Sequence, residues 1–250
     1  MSEHHPEHRA GDSAADGAGH DADAPRRAPR NPVWGWVREF LIVVGIALVL
    51  SFVIKTFFFR AFYIPSGSME QTLEINDRIF VNLMVPGPFD LHRGDVVVFS
   101  DELGWLGATA PAPTNPITEA LTFVGLVPDT ADQHLVKRLI GMPGDTVECC
   151  DADGHLMVNG VSITEPYLYP GAAPSDEAFK VTVPEGKIWV MGDHRNASAD
   201  SRFHQDIQGG FVDMDSVEGK AVLRAWPLDR FGTVSGHHEV FADVPAGTGK

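Results

Sequence analysis

Two serines one residue apart, Ser66 and Ser68, stand in the stretch Tyr63-Ile64-Pro65-Ser66-Gly67-Ser68-Met69-Glu70-Gln71-Thr72-Leu73. Pro65 fixes one φ angle, and Gly67 permits conformations that other residues avoid. A sharp turn between two serines suits an exposed nucleophile with a nearby amide facing a developing oxyanion. Taken alone, Ser-Gly-Ser reads more simply as a polar turn. A serine nucleophile also needs a base. His134, His155, His194 and His204 lie well inside the chain, and none sits in a familiar triad motif. Lysine can serve if burial lowers its pKa, because desolvation penalises the ammonium. Lys137 has the right neighbours, with Leu135, Val136, Leu139 and Ile140 all apolar. A strand lysine ordinarily faces water, since an uncompensated buried charge is costly.

These residues need elements to hold them. Ala61-Phe62-Tyr63-Ile64 reads as a strand entering the serine turn. Strands are also expected over Arg78–Asn82, Asp95–Phe99, Val136–Ile140, Thr146–Glu148, Lys180–Val183, Lys187–Met191 and Val217–Trp226, all rich in β-branched or aromatic residues. Leu156–Ile163 reads as a hairpin with Asn159-Gly160 at its tip. The fold class is therefore mainly β, a largely antiparallel, two-lobed domain. Residues 101–133 read as an insertion, with a Pro-rich linker at Ala110–Pro116 and an apolar helix at Ile117–Leu126. Trp105, Leu106 and Phe123 are suited either to a membrane surface or to covering the domain's own flank. No internal repeat is present.

Before the β domain lies the one long apolar run. Phe40–Ile54 carries no charge, and extension through Trp36-Val37 and Thr56–Phe59 supplies the roughly 20 residues a bilayer span requires. Residues 32–60 are thus expected to form a transmembrane anchor. Arg38 and Lys55 can snorkel near its ends, and no small-x-small cleavage site follows it. Arg26, Arg27, Arg30 and Arg38 precede the span, while Lys55 and Arg60 follow; this favours a cytoplasmic N-terminus. Residues 1–31 hold almost no large apolar side chain and read as a disordered cytoplasmic tail. Residues 233–250 read as a flexible polar tail. His4, His5 and His8 are better read as a solvated tail than as metal ligands, and no metal or cofactor is expected. A formal charge of −15 over 250 residues argues against nucleic acid as a partner. The two cysteines, Cys149 and Cys150, are adjacent. A vicinal disulfide, an intermolecular bridge and two free thiols all stay open.

Two further stretches change the weight of the serine turn: Leu135-Val136-Lys137-Arg138-Leu139-Ile140-Gly141-Met142-Pro143-Gly144-Asp145 and Gly192-Asp193-His194-Arg195-Asn196-Ala197-Ser198-Ala199-Asp200-Ser201-Arg202. With Arg93-Gly94-Asp95-Val96-Val97-Val98-Phe99, the four segments in this order behind one anchor resemble bacterial type I signal peptidases, from about Trp36 to about Trp226. The resemblance implies Ser68 as nucleophile and Lys137 as general base. It implies an oxyanion site from the Ser66 hydroxyl and the Ser68 amide. Ser198 would hydrogen-bond the lysine amine, and Asp200 and Arg202 would form a supporting ion pair. Phe62, Ile64, Pro65, Leu135 and Val136 would line shallow substrate pockets.

The implied activity is membrane-anchored endoproteolysis, removing signal peptides from secretory preproteins after a small-x-small sequence. The lipid bilayer is an implied partner, the protein translocation machinery a candidate one, and the catalytic domain would be extracytoplasmic. The chain departs from the family pattern at Gln71, where proline is frequent, and at His194–Ser198, where Asn-Arg-Asp-Asn-Ser is frequent. Two alternatives remain: a self-processing Ser/Lys protease of the repressor type, and a tethered binding module without catalysis.

Overall fold

A computed structural model of the chain describes residues 32–107, 115 and 134–248. Expectations for the Pro-rich linker, for the Ile117–Leu126 helix and for Phe123 lie outside the described residues, apart from Asn115. Helix α1 spans Pro32–Phe57. Its Trp34–Phe57 portion, with a mean hydropathy of 2.6, is long and apolar enough to cross a membrane. At about 1.5 Å per residue, such a helix exceeds the roughly 30 Å of a bilayer's hydrocarbon core. Valine and isoleucine weaken helices in water. In lipid the backbone must satisfy its own hydrogen bonds, so these residues remain helical.

Among the described residues, the β domain holds two antiparallel sheets. The larger contains β1 (Phe59–Tyr63), β2 (Arg78–Asn82), β3 (Val96–Ser100), β4 (His134–Gly141), β9 (Lys187–Met191), β10 (Val212–Asp213), β11 (Val217–Trp226) and β12 (Gly232–Thr233). Its strands run in the order β1-β2-β11-β3-β4-β9-β10, with β12 on β11. The smaller contains β5 (Thr146–Cys149), β6 (Leu156–Val158), β7 (Val161–Ile163) and β8 (Phe179–Thr182), ordered β7-β6-β5-β8. The expected β class and its two lobes are observed.

Local sequence explains most of these elements. Strand β3 opens with four apolar residues, Val96–Phe99, all buried. Such a run marks a strand covered on both faces. Val97 and Phe99 enter one core with Leu135, Leu139, Ile188 and Val190. Val96 and Val98 enter another with Phe62, Ile64, Met69, Leu73, Ile79 and Val81. A third core lies under the smaller sheet, where Trp189 and Met191 of β9 meet Val147, Leu156, Val158 and Ile163. The tip of the β6–β7 hairpin has positive φ at both Asn159 and Gly160. That conformation belongs to the tight two-residue hairpin turns that asparagine and glycine favour.

One expectation changes here. Where the composition suggests a loose tail, residues 233–248 pack onto the domain. Phe241 and Val244 are buried in the third core. Arg93 donates to Pro245 O at 3.0 Å, Asn159 donates to the same carbonyl at 2.9 Å, and His238 Nε2 lies 2.7 Å from Asp95 Oδ1. Three spaced apolar residues, Val234, Phe241 and Val244, fasten a segment whose Gly, Pro and Ser content reads as unstructured. Of the two alternatives for Trp105, the structure has it covering the domain's own flank. It stands edge-on to Phe99 and stacks on His204 with ring centroids 4.4 Å apart. Of the open cysteine states, the structure has a disulfide between Cys149 and Cys150.

Candidate active site

The serine turn is built between β1 and β2. Ile64 and Asn76–Asp77 exchange backbone hydrogen bonds across its base, each 2.9 Å long. Ser66 is extended, and Gly67–Met69 forms one 3-10 turn. Met69 and Leu73 are buried in the core with Phe62 and Ile64, and this apolar anchor fixes the turn from below. From above, the His194 amide donates to Ser68 O at 3.1 Å, and His194 Nδ1 lies 2.8 Å from Glu70 Oε2. Ser66 Oγ is 3.4 Å from Ser68 Oγ, so both hydroxyls face one point.

Strand β4 carries Lys137 to that point. Its Nζ lies 2.8 Å from Ser68 Oγ and 3.2 Å from Val136 O. The lysine is 3% exposed and Ser68 is 7% exposed. Burial lowers the Lys137 pKa to about 8, against the opposing pull of the Asp200 and Asp193 carboxylates. A lysine with that value has a useful neutral fraction near neutral pH, and a neutral amine can accept a proton from the serine hydroxyl. The other interior bases are engaged elsewhere. His134 Nε2 meets Glu218, His155 faces Asp151, His194 meets Glu70, and His204 Nδ1 meets Asp200 O.

This geometry sets a pH dependence. If the neutral amine is the reactive form, kcat/KM should climb about tenfold per unit at low pH and flatten above the Lys137 pKa of about 8. A pH–rate profile with one peptide substrate checks it. Stability follows the same proton. The unfolded amine returns toward 10.5, so between about 8 and 10.5 the folded chain binds fewer protons. Stability contributed by this group should therefore increase as pH rises through that window.

The remaining expected residues are placed unequally. Asp200 and Arg202 form a two-pronged ion pair, with Nε to Oδ1 and Nη2 to Oδ2 both at 2.9 Å. Asp200 Oδ2 also accepts the Gly192 amide at 2.9 Å, and Arg202 reaches Arg195 O. Ser198 differs from expectation. Among the described residues its buried Oγ has no hydrogen-bond partner, and the amine's contacts go to Ser68 Oγ and Val136 O. Ser198 instead packs with Gly192 against the serine turn. A Cβ on Gly192 would strike Ser198 and come 2.5 Å from Ser68 O. Gly192→Ala should therefore push the turn off the lysine. A displacement near 1 Å can cost about 100-fold in kcat, measurable by single-turnover cleavage with circular dichroism confirming the fold.

A cleft of about 210 Å³ opens beside the two side chains, lined in part by Ile64, Pro65, Leu135 and Val136. Phe62 is not part of that lining; it is 1% exposed and lies in the core beneath. His134 and Leu106 are lining residues that sequence reasoning did not assign to the cleft. Two unpaired strand edges meet there. Among the described residues, β1 pairs only with β2, and β4 pairs with β9 only from Arg138 onward. The edge over His134–Lys137 thus faces the cleft.

Sequence reasoning also assigned no role to the charged frame behind the lysine. Arg138 is fully buried and grips Asp193 with Nε to Oδ1 at 2.8 Å and Nη2 to Oδ2 at 2.7 Å. It also donates to Gly94 O and Ser235 O, and its guanidinium stacks 4.0 Å over Tyr167. Arg195 pairs with Glu165, again fully inside. The available signal was a second cation beside Lys137 in an apolar strand, since buried arginine requires a carboxylate. At the other departure from the family pattern, Gln71 has φ +84°, a value proline cannot adopt.

Residues 35–226 match the family model of the signal peptidases, peptidase S26. Signal peptidase I of Mycobacterium tuberculosis is 38% identical over 248 residues, covering 89% of this chain and 82% of that one. Signal peptidase I of Leptolyngbya laminosa is 32% identical over 218 residues, covering 85% of this chain and 94% of that one. A crystal structure of a signal peptidase I from Enterococcus faecalis aligns at 29% identity over 52% of this chain and 95% of that chain, with a TM-score of 0.35. By the family model and the curated relatives, the chain belongs to the signal peptidase family. It is a hydrolase, an endopeptidase of signal-peptide processing behind an apolar N-terminal helix.

Proposed function

We propose that Ser68 is the nucleophile and Lys137 the general base in hydrolysis of the bond that joins a signal peptide to a secretory preprotein. The observation that carries this reading is the 2.8 Å approach of Nζ to Oγ at a lysine that is 3% exposed. Ser68 Oγ attacks the scissile carbonyl carbon while its proton passes to Lys137 Nζ. The oxyanion is held by the Ser68 amide and the Ser66 hydroxyl. The carbon–nitrogen bond then breaks, and the Lys137 ammonium returns the proton to the leaving amine. Water next attacks the acyl ester, giving a proton to Lys137; the ester carbon–oxygen bond breaks, and the ammonium returns that proton to Ser68 Oγ.

Asp200 and Arg202 hold the Gly192 turn, and Ser198 packs that turn against Ser68; these are positioning roles. The substrate lies extended as an added strand along the free edges of β1 and β4. The cleft between them accepts small side chains, which gives cleavage after small-x-small. The peptidase domain is residues 61–232 with the packed segment to 248. It stands on the extracytoplasmic side with the N-terminus in the cytoplasm, as the arginines ahead of α1 favour. Tethering to the bilayer raises the local concentration of emerging cleavage sites, and the translocation machinery is the neighbour that delivers them.

The test is reconstitution of the full chain in lipid vesicles with a secretory preprotein, followed by mass determination of the mature product. Cutting after small-x-small, lost in Ser68→Ala, is the expected result. An unchanged product pattern with Ser68→Ala would reject the assignment.

A further inference from the structure

Between β3 and β4 the chain makes a short built turn, Gly104-Trp105-Leu106-Gly107. The Gly107 amide donates to Gly104 O at 3.0 Å and closes it. The Asp101 carboxylate accepts two amides, those of Trp105 and Leu106, each at 2.8 Å. Trp105 points inward between Phe99 and His204, and His204 Nδ1 lies 3.0 Å from Asp200 O. The turn is thus fastened to the same loop that carries the Asp200–Arg202 pair.

With Trp105 spent on anchoring, Leu106 is left as the turn's free apolar side chain. It is 43% exposed, yet it lines the cleft with Ile64, Pro65, Leu135 and Val136, next to Ser68 and Lys137. An apolar side chain held at the backbone by a carboxylate clamp and presented to the cleft limits what can enter. It does so without touching the reacting atoms.

We infer that Leu106 is a specificity-determining residue, forming the wall of the cleft that caps the size of substrate side chain accepted beside Ser68. The inference rests on the Ser68–Lys137 reading. It adds that the limit is set by the β3–β4 turn as well as by the strand edges. Truncating this wall should admit bulk without altering the chemistry. Enlarging it should tighten selection further.

The experiment compares the full chain with Leu106→Ala and Leu106→Phe on peptides spanning a cleavage site. The last and the third-from-last residue before the cut are each varied among Ala, Val and Leu. Leu106→Ala should raise kcat/KM for the Val or Leu peptides relative to the Ala peptide by about 10- to 100-fold at one of the two positions, as expected for a few methylenes in an apolar pocket. Leu106→Phe should move the ratio the other way. Ratios unchanged in both variants at both positions would overturn the inference. A Ser68→Ala control separates the levels. If it still cleaves, the nucleophile assignment fails; if it is silent while the Leu106 ratios stay flat, only the role of Leu106 fails. Leu106 is half out of the core, so an unchanged melting temperature should accompany both variants.

Discussion

Lys137→Met is expected to lower preprotein cleavage by about 10,000-fold, the upper range for removing a general base, while the fold survives. Three observations combine in that expectation. The amine is 2.8 Å from Ser68 Oγ. No interior histidine takes its place, because each is held by another partner. The amine is also the group that must return a proton to the leaving nitrogen, so both halves of the reaction lose their proton carrier. Stability should not fall with activity. Asp193 keeps Arg138 and Asp200 keeps Arg202, so no carboxylate is stranded when the lysine goes. The substitution also removes a buried amine whose desolvation is costly, and an apolar side chain of similar length fills its space. Cleavage assays beside urea titrations measure the two effects separately. A variant retaining more than about a tenth of the activity would be inconsistent with general-base catalysis on this scale.

Arg138→Met should behave in the opposite way, as a loss of stability first. Its guanidinium serves five acceptors: both Asp193 oxygens, Gly94 O, Ser235 O and Thr72 Oγ1. Asp193 has no exposure to water. Removing one member of such a buried pair typically costs about 3–5 kcal/mol, because the partner charge remains. The damage should spread to the site, since Asp193 lies between Gly192 and His194, which both brace the serine turn. Adding Asp193→Asn to Arg138→Met should recover part of the loss by removing the stranded charge. Equilibrium unfolding of the two variants and the double variant measures it. A single-variant cost below about 1 kcal/mol would mean the pair is solvated and ordinary.

The parts of this molecule that were legible in sequence are those governed by local patterning. Strands β2, β9 and β11 and the Asn159-Gly160 hairpin follow from alternation, β-branching and turn chemistry within a few residues. The pairing of Ser68 with Lys137 spans 69 residues, and no local rule encodes it. It was reached through the order of four motifs, while the composition of β4 alone would leave the lysine facing water. Residues 233–248 misled because three apolar anchors are diluted among small and polar residues. Phe62 misled for a different reason: a position beside the serine strand does not say which face is core. Leu106 was grouped with Trp105 and Phe123 as an apolar insertion residue. Only the inward stacking of Trp105 on His204 shows why its neighbour is left to face the cleft.

Activation of Ser68 requires one unprotonated amine, that of Lys137. Its most direct test is NMR titration of the Lys137 side chain in the full chain, with selectively labelled lysine and the Ser68→Ala background to prevent turnover. A midpoint near the value of about 8 that burial sets is the predicted result. A midpoint at the ordinary 10.5 would contradict it, leaving Lys137 protonated and unable to activate Ser68 at neutral pH.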